Sequence, residues 1–188
     1  IDLGWIGALI TIVWIVGLTN AYNFMDGIDG LAGSQAVIGG VGWIVLGSIF
    51  GEPFVVAIGV LIASSSMGFL LHNWPPARIF MGDVGSAFLG FGFAVLPLMI
   101  SPSASTTING LSAPVSAVAL MWCFIFDSGF TLLRRLVRGE NVLEAHRSHL
   151  YQRLVISGYS HRKVTLIYIG GGLVGGAIAV SYALSMPI

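Results

Sequence analysis

Residues 84–126 read VGSAFLGFGFAVLPLMISPSASTTINGLSAPVSAVALMWCFIF, 43 positions without a single Asp, Glu, Lys or Arg. A helix needs about 20 predominantly apolar residues to cross the hydrocarbon core of a bilayer. The run is long enough for two crossings, and its polar, Pro-containing middle, residues 101–114, supplies the connection between them. Four more charge-free runs, 3–25, 30–51, 53–77 and 164–188, each have the length of one crossing. The sequence therefore predicts six spans, at 5–22, 34–50, 54–71, 85–100, 114–136 and 164–185, once tilt and end effects are allowed for. The expected fold class is an all-α integral membrane protein, a polytopic bundle forming a single transmembrane domain over residues 1–188.

The rest of the composition agrees. Eight basic and eight acidic residues in 188 make 9% charged, against roughly 25% in a soluble domain, and the mean hydropathy is +0.92, which excludes a water-soluble globule. A transmembrane β-barrel would instead show alternating segments of about ten residues. The 26 glycines, many of them inside spans, suit close helix packing. A lone cysteine, Cys123, excludes an internal disulfide. The chain begins at Ile1 without the layout of a signal peptide and reads as a piece of a longer protein.

Charge placement sets the topology. All eight Lys and Arg fall after the third and fifth spans: Arg78 in one loop, and Arg134, Arg135, Arg138, Arg147, Arg153, Arg162 and Lys163 in or beside the other. By the positive-inside rule these loops, with the loop after the first span, are cytoplasmic. The same side receives Asp26, Asp29, His72, Asn73, Asp83, His146 and His149. Such one-sided chemistry points to an active site on the cytoplasmic face.

Three motifs lie on that side. The first, NAYNFMDGIDGLAG at 20–33, repeats Asn23, Asp26 and Asp29 every three residues. On a helical turn that spacing puts all three on one face, where they suit a hard cation or a hydrogen-bonding sugar or base. The second, HNWPPARIFMGDVGSAFLGF at 72–91, sets Asp83 at the mouth of the fourth span, where free N–H groups near Gly85 and Ser86 favour a phosphate. The third, at 134–155, gathers five arginines with His146 and His149, donors suited to phosphate oxygens. Each motif also has an ordinary explanation: Asp-Gly turns, an Asp N-cap, and headgroup anchoring. Anchoring accounts for Arg134, Arg135 and Arg138, and for His161 with Arg162 and Lys163. Asp127 lies inside a span, which makes it a functional candidate, although pairing with an arginine one or two turns on, about 10 Å for Arg134, explains it equally well.

Taken together, NAYNFMDGIDGLAG, PPARIFMGDVGS and HRSHLYQRL resemble the polyprenyl-phosphate N-acetylhexosamine-1-phosphate transferases, over essentially the whole chain. The resemblance implies transfer of a sugar-1-phosphate from a UDP-N-acetyl sugar to a membrane polyprenyl phosphate, with release of UMP and use of Mg²⁺, Mn²⁺ being an alternative. Asp83 is then the principal metal ligand with Asn23 beside it. Asp26 is a catalytic carboxylate, and His149 joins these three as catalytic. Gly27, Asp29, Asn73 and Phe80 match positions that grip uracil, and His146, Arg147 and Arg153 hold phosphate or sugar. The implied setting is a bacterial-type inner membrane, with the bilayer as partner, no nucleic acid, and self-association into a homodimer left open.

Two departures accompany the resemblance. The family's upstream Asp-Asp motif is absent, and six spans stand where full members have about ten, so the chain reads as the C-terminal part of an enzyme. In the third loop, His149, Tyr151, Gln152 and Arg153 occupy the places of an H-x-H-H-R cluster, a variant resembling the branch that initiates O-antigen and related surface polysaccharides. The alternatives are a transporter subunit, which would place ionisable residues at mid-membrane, a CDP-alcohol phosphotransferase, whose longer aspartate motif does not fit after Asp26, and a non-catalytic membrane scaffold.

Overall fold

The computed structural model describes residues 4–100, 111–141, 144 and 147–185. These form eight α-helices: α1 (Gly4–Phe24), α2 (Leu31–Phe50), α3 (Pro53–Asn73), α4 (Gly82–Val95), α5 (Ser112–Leu120), α6 (Trp122–Val137), α7 (Leu150–Ile156) and α8 (His161–Leu184). A 3₁₀ turn, Leu96–Met99, prolongs α4, and there is no strand among the described residues. Helices α1, α2, α3 and α8, and α4 with its 3₁₀ extension, are long and apolar enough to cross a membrane.

The fifth expected span, 114–136, differs from its prediction as one continuous helix. Helices α5 and α6 meet at Met121 with a bend of 76°. Neither Pro nor Gly lies at the break, so the bend belongs to packing rather than to a local breaker. Helix α5 is fastened to α8: Gly175 brings its backbone so close that a Cβ there would strike the Ala119 carbonyl and the Trp122 ring. The Trp122 indole N–H donates to the Gly171 carbonyl at 2.7 Å. Helix α6 instead follows Asp127 towards α7.

Elsewhere the bundle is built by close backbone approach. At the α2–α3 crossing, a Cβ on Gly40 would lie 2.9 Å from the Gly59 carbonyl, and one on Gly59 would lie 2.9 Å from the Gly40 carbonyl. Gly51, at φ 72°, ends α2, and Pro53 opens α3 two residues later, where its missing N–H costs nothing. Helices α1 and α4 pack where Gly90 meets Thr19, and the Trp14 indole donates to the Ala94 carbonyl at 2.9 Å. Tyr22 lies in the centre between Phe93 and Phe124, its hydroxyl donating to the Ala32 carbonyl at 2.7 Å. Apolar side chains also face outward, among them Trp5, Leu9, Ile12, Val13 and Leu61, as lipid contact requires.

Candidate active site

All three motif loops meet at one end of the bundle. Helix α1 ends at Phe24, and residues 25–30 form a turn stopped by Gly30 at φ 77°. Asn23, Asp26 and Asp29 consequently do not share one helical face as the three-residue spacing predicted. Each is delivered to different partners, because the chain leaves the helix between the first and second of them.

Asn23 remains on the last turn of α1. Its Nδ2 donates to Ser86 Oγ at 2.9 Å and to Asp83 Oδ1 at 3.3 Å, joining α1 to the first turn of α4. Ser86 Oγ donates back to the Gly82 carbonyl at 3.1 Å. Gly82, at φ 69°, turns the chain so that Asp83 projects, exposed, from the start of α4. Asp26 is half-buried, and burial first, then the Asp83 charge, raises its pKa from 3.8 to about 6. Two carboxylates that repel each other beside an Asn amide are a hard, all-oxygen donor set. This suits Mg²⁺, which takes one or two protein carboxylates and completes its shell with phosphate and water. No group of three His, Cys, Asp or Glu placed to hold a metal occurs among the described residues.

The residues expected to grip uracil have structural partners. Asp29 Oδ2 accepts the Ala77 N–H at 3.1 Å, Oδ1 lies 3.4 Å from His161 Nδ1, and the Asp29 carbonyl accepts the Thr165 hydroxyl at 2.9 Å. Asn73 is buried: Oδ1 accepts the Gly30 N–H at 2.9 Å and Nδ2 donates to the Ile79 carbonyl at 2.8 Å. Asp29 and Asn73 thus tie the first loop to the second and to α8. Phe80 stands 79% exposed on the same loop. His161, expected as a membrane anchor, is instead part of this tie.

The basic loop folds back on itself. Arg135, only 4% exposed, bonds Glu140 through Nε at 3.2 Å and the carbonyls of Asn141 and Glu144 through its terminal nitrogens. Arg134 Nη2 donates to the Ser148 carbonyl. Headgroup anchoring, expected for both, is replaced by loop building, because orphan carbonyls after a helix end attract guanidinium donors. Arg138 stays exposed near Glu140. Arg147 and Arg153 are exposed as phosphate-binding candidates should be, and His146 lies outside the described residues.

Asp127 does not pair with an arginine. Its carboxylate, 1% exposed, accepts the backbone N–H groups of Leu150 at 2.9 Å and Tyr151 at 3.1 Å and the hydroxyls of Thr131 and Tyr168, and lies 3.2 Å from His149 Nδ1. Gln152, in one of the family's histidine positions, accepts the His149 N–H at 3.2 Å and so caps α7. The Tyr151 hydroxyl, kept protonated because burial raises its pKa, donates to the Phe24 carbonyl at 2.8 Å. Gly27 is where that hydroxyl passes, and a Cβ there would collide with it. Tyr151, Thr165 and His161 were not singled out by the sequence as site residues; Tyr151 carried only the signal of replacing a family histidine.

Beside this end, α1 and α6 enclose an apolar groove of about 470 Å³. Trp14, Phe24, Ile125 and Leu132 contribute to its wall, with Arg135 and His149 bringing polarity to it.

Residues 1–101, more than half of the chain, match the family described as glycosyl transferase family 4. The chain is similar to a probable undecaprenyl-phosphate N-acetylglucosaminyl 1-phosphate transferase of Bacillus subtilis (strain 168), 37% identical over 171 residues, 90% of this chain and 47% of the relative. A decaprenyl-phosphate N-acetylglucosaminephosphotransferase of Mycobacterium leprae (strain TN) is 33% identical over 183 residues, 88% of this chain and 46% of the relative. A phospho-N-acetylmuramoyl-pentapeptide-transferase of Staphylococcus haemolyticus (strain JCSC1435) is 27% identical over 180 residues, 96% of this chain and 53% of the relative. The chain spans about half the length of these curated relatives. With more than half of its length matched by the family, this chain belongs to glycosyl transferase family 4.

Proposed function

We propose that the protein containing this chain transfers N-acetylhexosamine-1-phosphate from a UDP-sugar, UDP-N-acetylglucosamine first among candidates, to a membrane polyprenyl phosphate. This begins a lipid-linked cell-wall glycan or surface polysaccharide at the cytoplasmic face of a bacterial-type inner membrane. The observation that carries the reading is the meeting of Asn23, Asp26 and Asp83 at the end of the bundle flanked by an apolar groove. A diphosphate needs the first and an isoprenoid tail needs the second. The names of the relatives, which include undecaprenyl- and decaprenyl-phosphate transferases, support the acceptor class.

In this reaction an oxygen of the acceptor phosphate, largely dianionic at pH 7 with a second pKa near 6, attacks the β-phosphorus of the nucleotide sugar. The bond from that phosphorus to the bridging oxygen breaks, and UMP leaves with the electron pair. One pyrophosphate linkage replaces another, so the protein's task is placement and neutralisation of charge. A bound Mg²⁺, or Mn²⁺, would offset charge on the diphosphate and on departing UMP. Asp83 would hold it, with Asp26 facing the same charge and Asn23 fixing Asp83 by its amide. The Asp29–Asn73 tie would shape the uracil end, Phe80 would offer an exposed ring to the base, and Arg147 and Arg153 would meet sugar or phosphate.

The test uses membranes containing the complete parent protein, undecaprenyl phosphate, Mg²⁺ and a panel of UDP-N-acetyl sugars, with UMP release as the readout. Lipid-dependent release with one sugar is expected. No release with any of them, from intact protein that also fails to bind UMP, would overturn the reading in favour of a non-catalytic scaffold.

A further inference from the structure

The buried Asp127 carboxylate has five hydrogen-bonding partners among the described residues, and nothing in the transfer chemistry above uses it. Burying a carboxylate inside a span is expensive unless donors replace water. Five do so here, and three of the five belong to residues 149–151. The other two, Thr131 and Tyr168, come from α6 and α8. The carboxylate therefore holds one short piece of chain, the piece that carries His149, and draws on its surroundings for the rest of its solvation.

That piece is in turn braced against the aspartate loop. Tyr151, whose N–H binds Asp127 Oδ2, sends its hydroxyl to the Phe24 carbonyl, two residues before Asp26. Gly27 leaves the space that the hydroxyl requires. The His149 ring lies 5.7 Å from the Phe24 ring, centre to centre, and contributes to the groove. With Nδ1 turned to a carboxylate, a neutral imidazole keeps its proton on that nitrogen and presents Nε2 as an acceptor.

We infer that Asp127 is a positioning residue for the transfer: it fixes His149 and the first turn of α7, through Tyr151, against the loop bearing Asp26 and Gly27. The inference rests on the proposed reaction for its kinetic consequence, though its geometric part can be tested without turnover. Asp127 works at a distance from phosphate, through the histidine and the short helix.

The experiment is a double-mutant cycle in the full-length parent protein, with Asp127→Asn, His149→Asn and the pair, plus Asp127→Glu as the variant that restores a carboxylate. Each single Asn substitution is expected to lower kcat between about tenfold and a hundredfold, the range seen when a residue that orients a functional histidine is removed. KM for the UDP-sugar is expected to move less than about twofold, and Asp127→Asn to add less than about twofold once His149 is already Asn. Asp127→Glu recovers part of the loss. Multiplying losses, or a UDP-sugar KM that rises in step with the fall in kcat, would overturn the inference and leave Asp127 as a fold residue only. Hydrogen exchange on the same preparations provides the arm independent of activity. Amides of Leu150 and Tyr151 should exchange about tenfold faster in Asp127→Asn, with the α2–α3 crossing unchanged, and unaltered exchange at 150–151 also overturns the inference. A wild-type protein that releases no UMP defeats the transfer reading alone, and the exchange arm then decides the clamp.

Discussion

The α2–α3 hairpin and the α6–α8 corner are held together by opposite means. At the hairpin, Gly40 and Gly59 press backbone on backbone, and Gly51 and Pro53 make the turn. At the corner, a bent span, a seven-residue helix and the start of α8 are joined by the Asp127 carboxylate and by Asp29 with His161 and Thr165. Lipid offers no hydrophobic drive to bring helices together, so shape and close contact do that work where nothing else is asked of the chain. Where loops must be aimed at charged groups, polar bonds fix angles that packing leaves free. The hairpin should tolerate no increase in size, and the corner no loss of charge or donors.

The sharpest separation comes from Asp83, which is exposed and contributes little to packing. Asp83→Ala should reduce Mg²⁺-dependent turnover of the parent protein about 10³-fold or more, roughly 4 kcal/mol of barrier, without lowering the melting temperature. Turnover at the wild-type rate would overturn the proposal that Asp83 holds the metal. The hairpin is broken by size instead. Gly40→Ile, forced against Ala63 and the Gly59 carbonyl, should destabilise the bundle by about 3 kcal/mol, read as loss of folded protein on heating in detergent. A variant as stable as wild type would mean that the α2–α3 contact is not tight.

Smaller effects probe the corner. His161→Ala removes one side chain facing Asp29 while leaving Thr165 and Ala77 in place, so UMP affinity should fall about fivefold with kcat little altered, as measured by calorimetric titration. Equal affinity would show that the tie does not reach the nucleotide. The smallest effect concerns Asp26. Its folded-state pKa is raised from 3.8 to about 6, so the folded protein binds that proton more tightly than the unfolded one. The resulting stability is fully present below pH 3.8 and is lost as pH rises through about 6. In chelator, Asp26→Asn should therefore melt a few degrees above wild type at pH 8, with the difference closing as pH falls towards 4. A constant difference across that range would mean that neither burial nor the Asp83 charge raises the Asp26 pKa.

What the sequence made readable divides along the same line. The spans and the shared end of the loops rest on charge-free runs and charge placement, which neighbouring residues express, whereas the roles proposed for Asn23, Asp26 and Asp83 come from the resemblance to a family. The bend at Met121 has no local breaker, since contacts made by Gly171 and Gly175 some 50 residues later impose it. Asp127 displayed a buried charge, while its partners at 149–151 and 168 are set by tertiary structure. An arginine seven residues along the helix was therefore the natural but mistaken partner. His161 and Arg135 misled for a related reason: basic residues at span ends resemble anchors until the fold shows which ones point inward.

The bend between α5 and α6 also bears on which lipids can be served. Helix α5 has nine residues, about 14 Å of rise, so it cannot cross a bilayer alone, and α6 departs obliquely. The groove between α6 and α1 has outward-facing side chains such as Val13 and Leu132 on its margin and therefore opens on the apolar outer face of the bundle. On the proposed reaction, an acceptor would enter from the bilayer with its head towards the carboxylates, and the recess of about 470 Å³ would receive the start of its tail. On that proposal this part of the protein would be a socket for the head of the lipid rather than a ruler for its length, and selection among carriers would fall on the phosphate end.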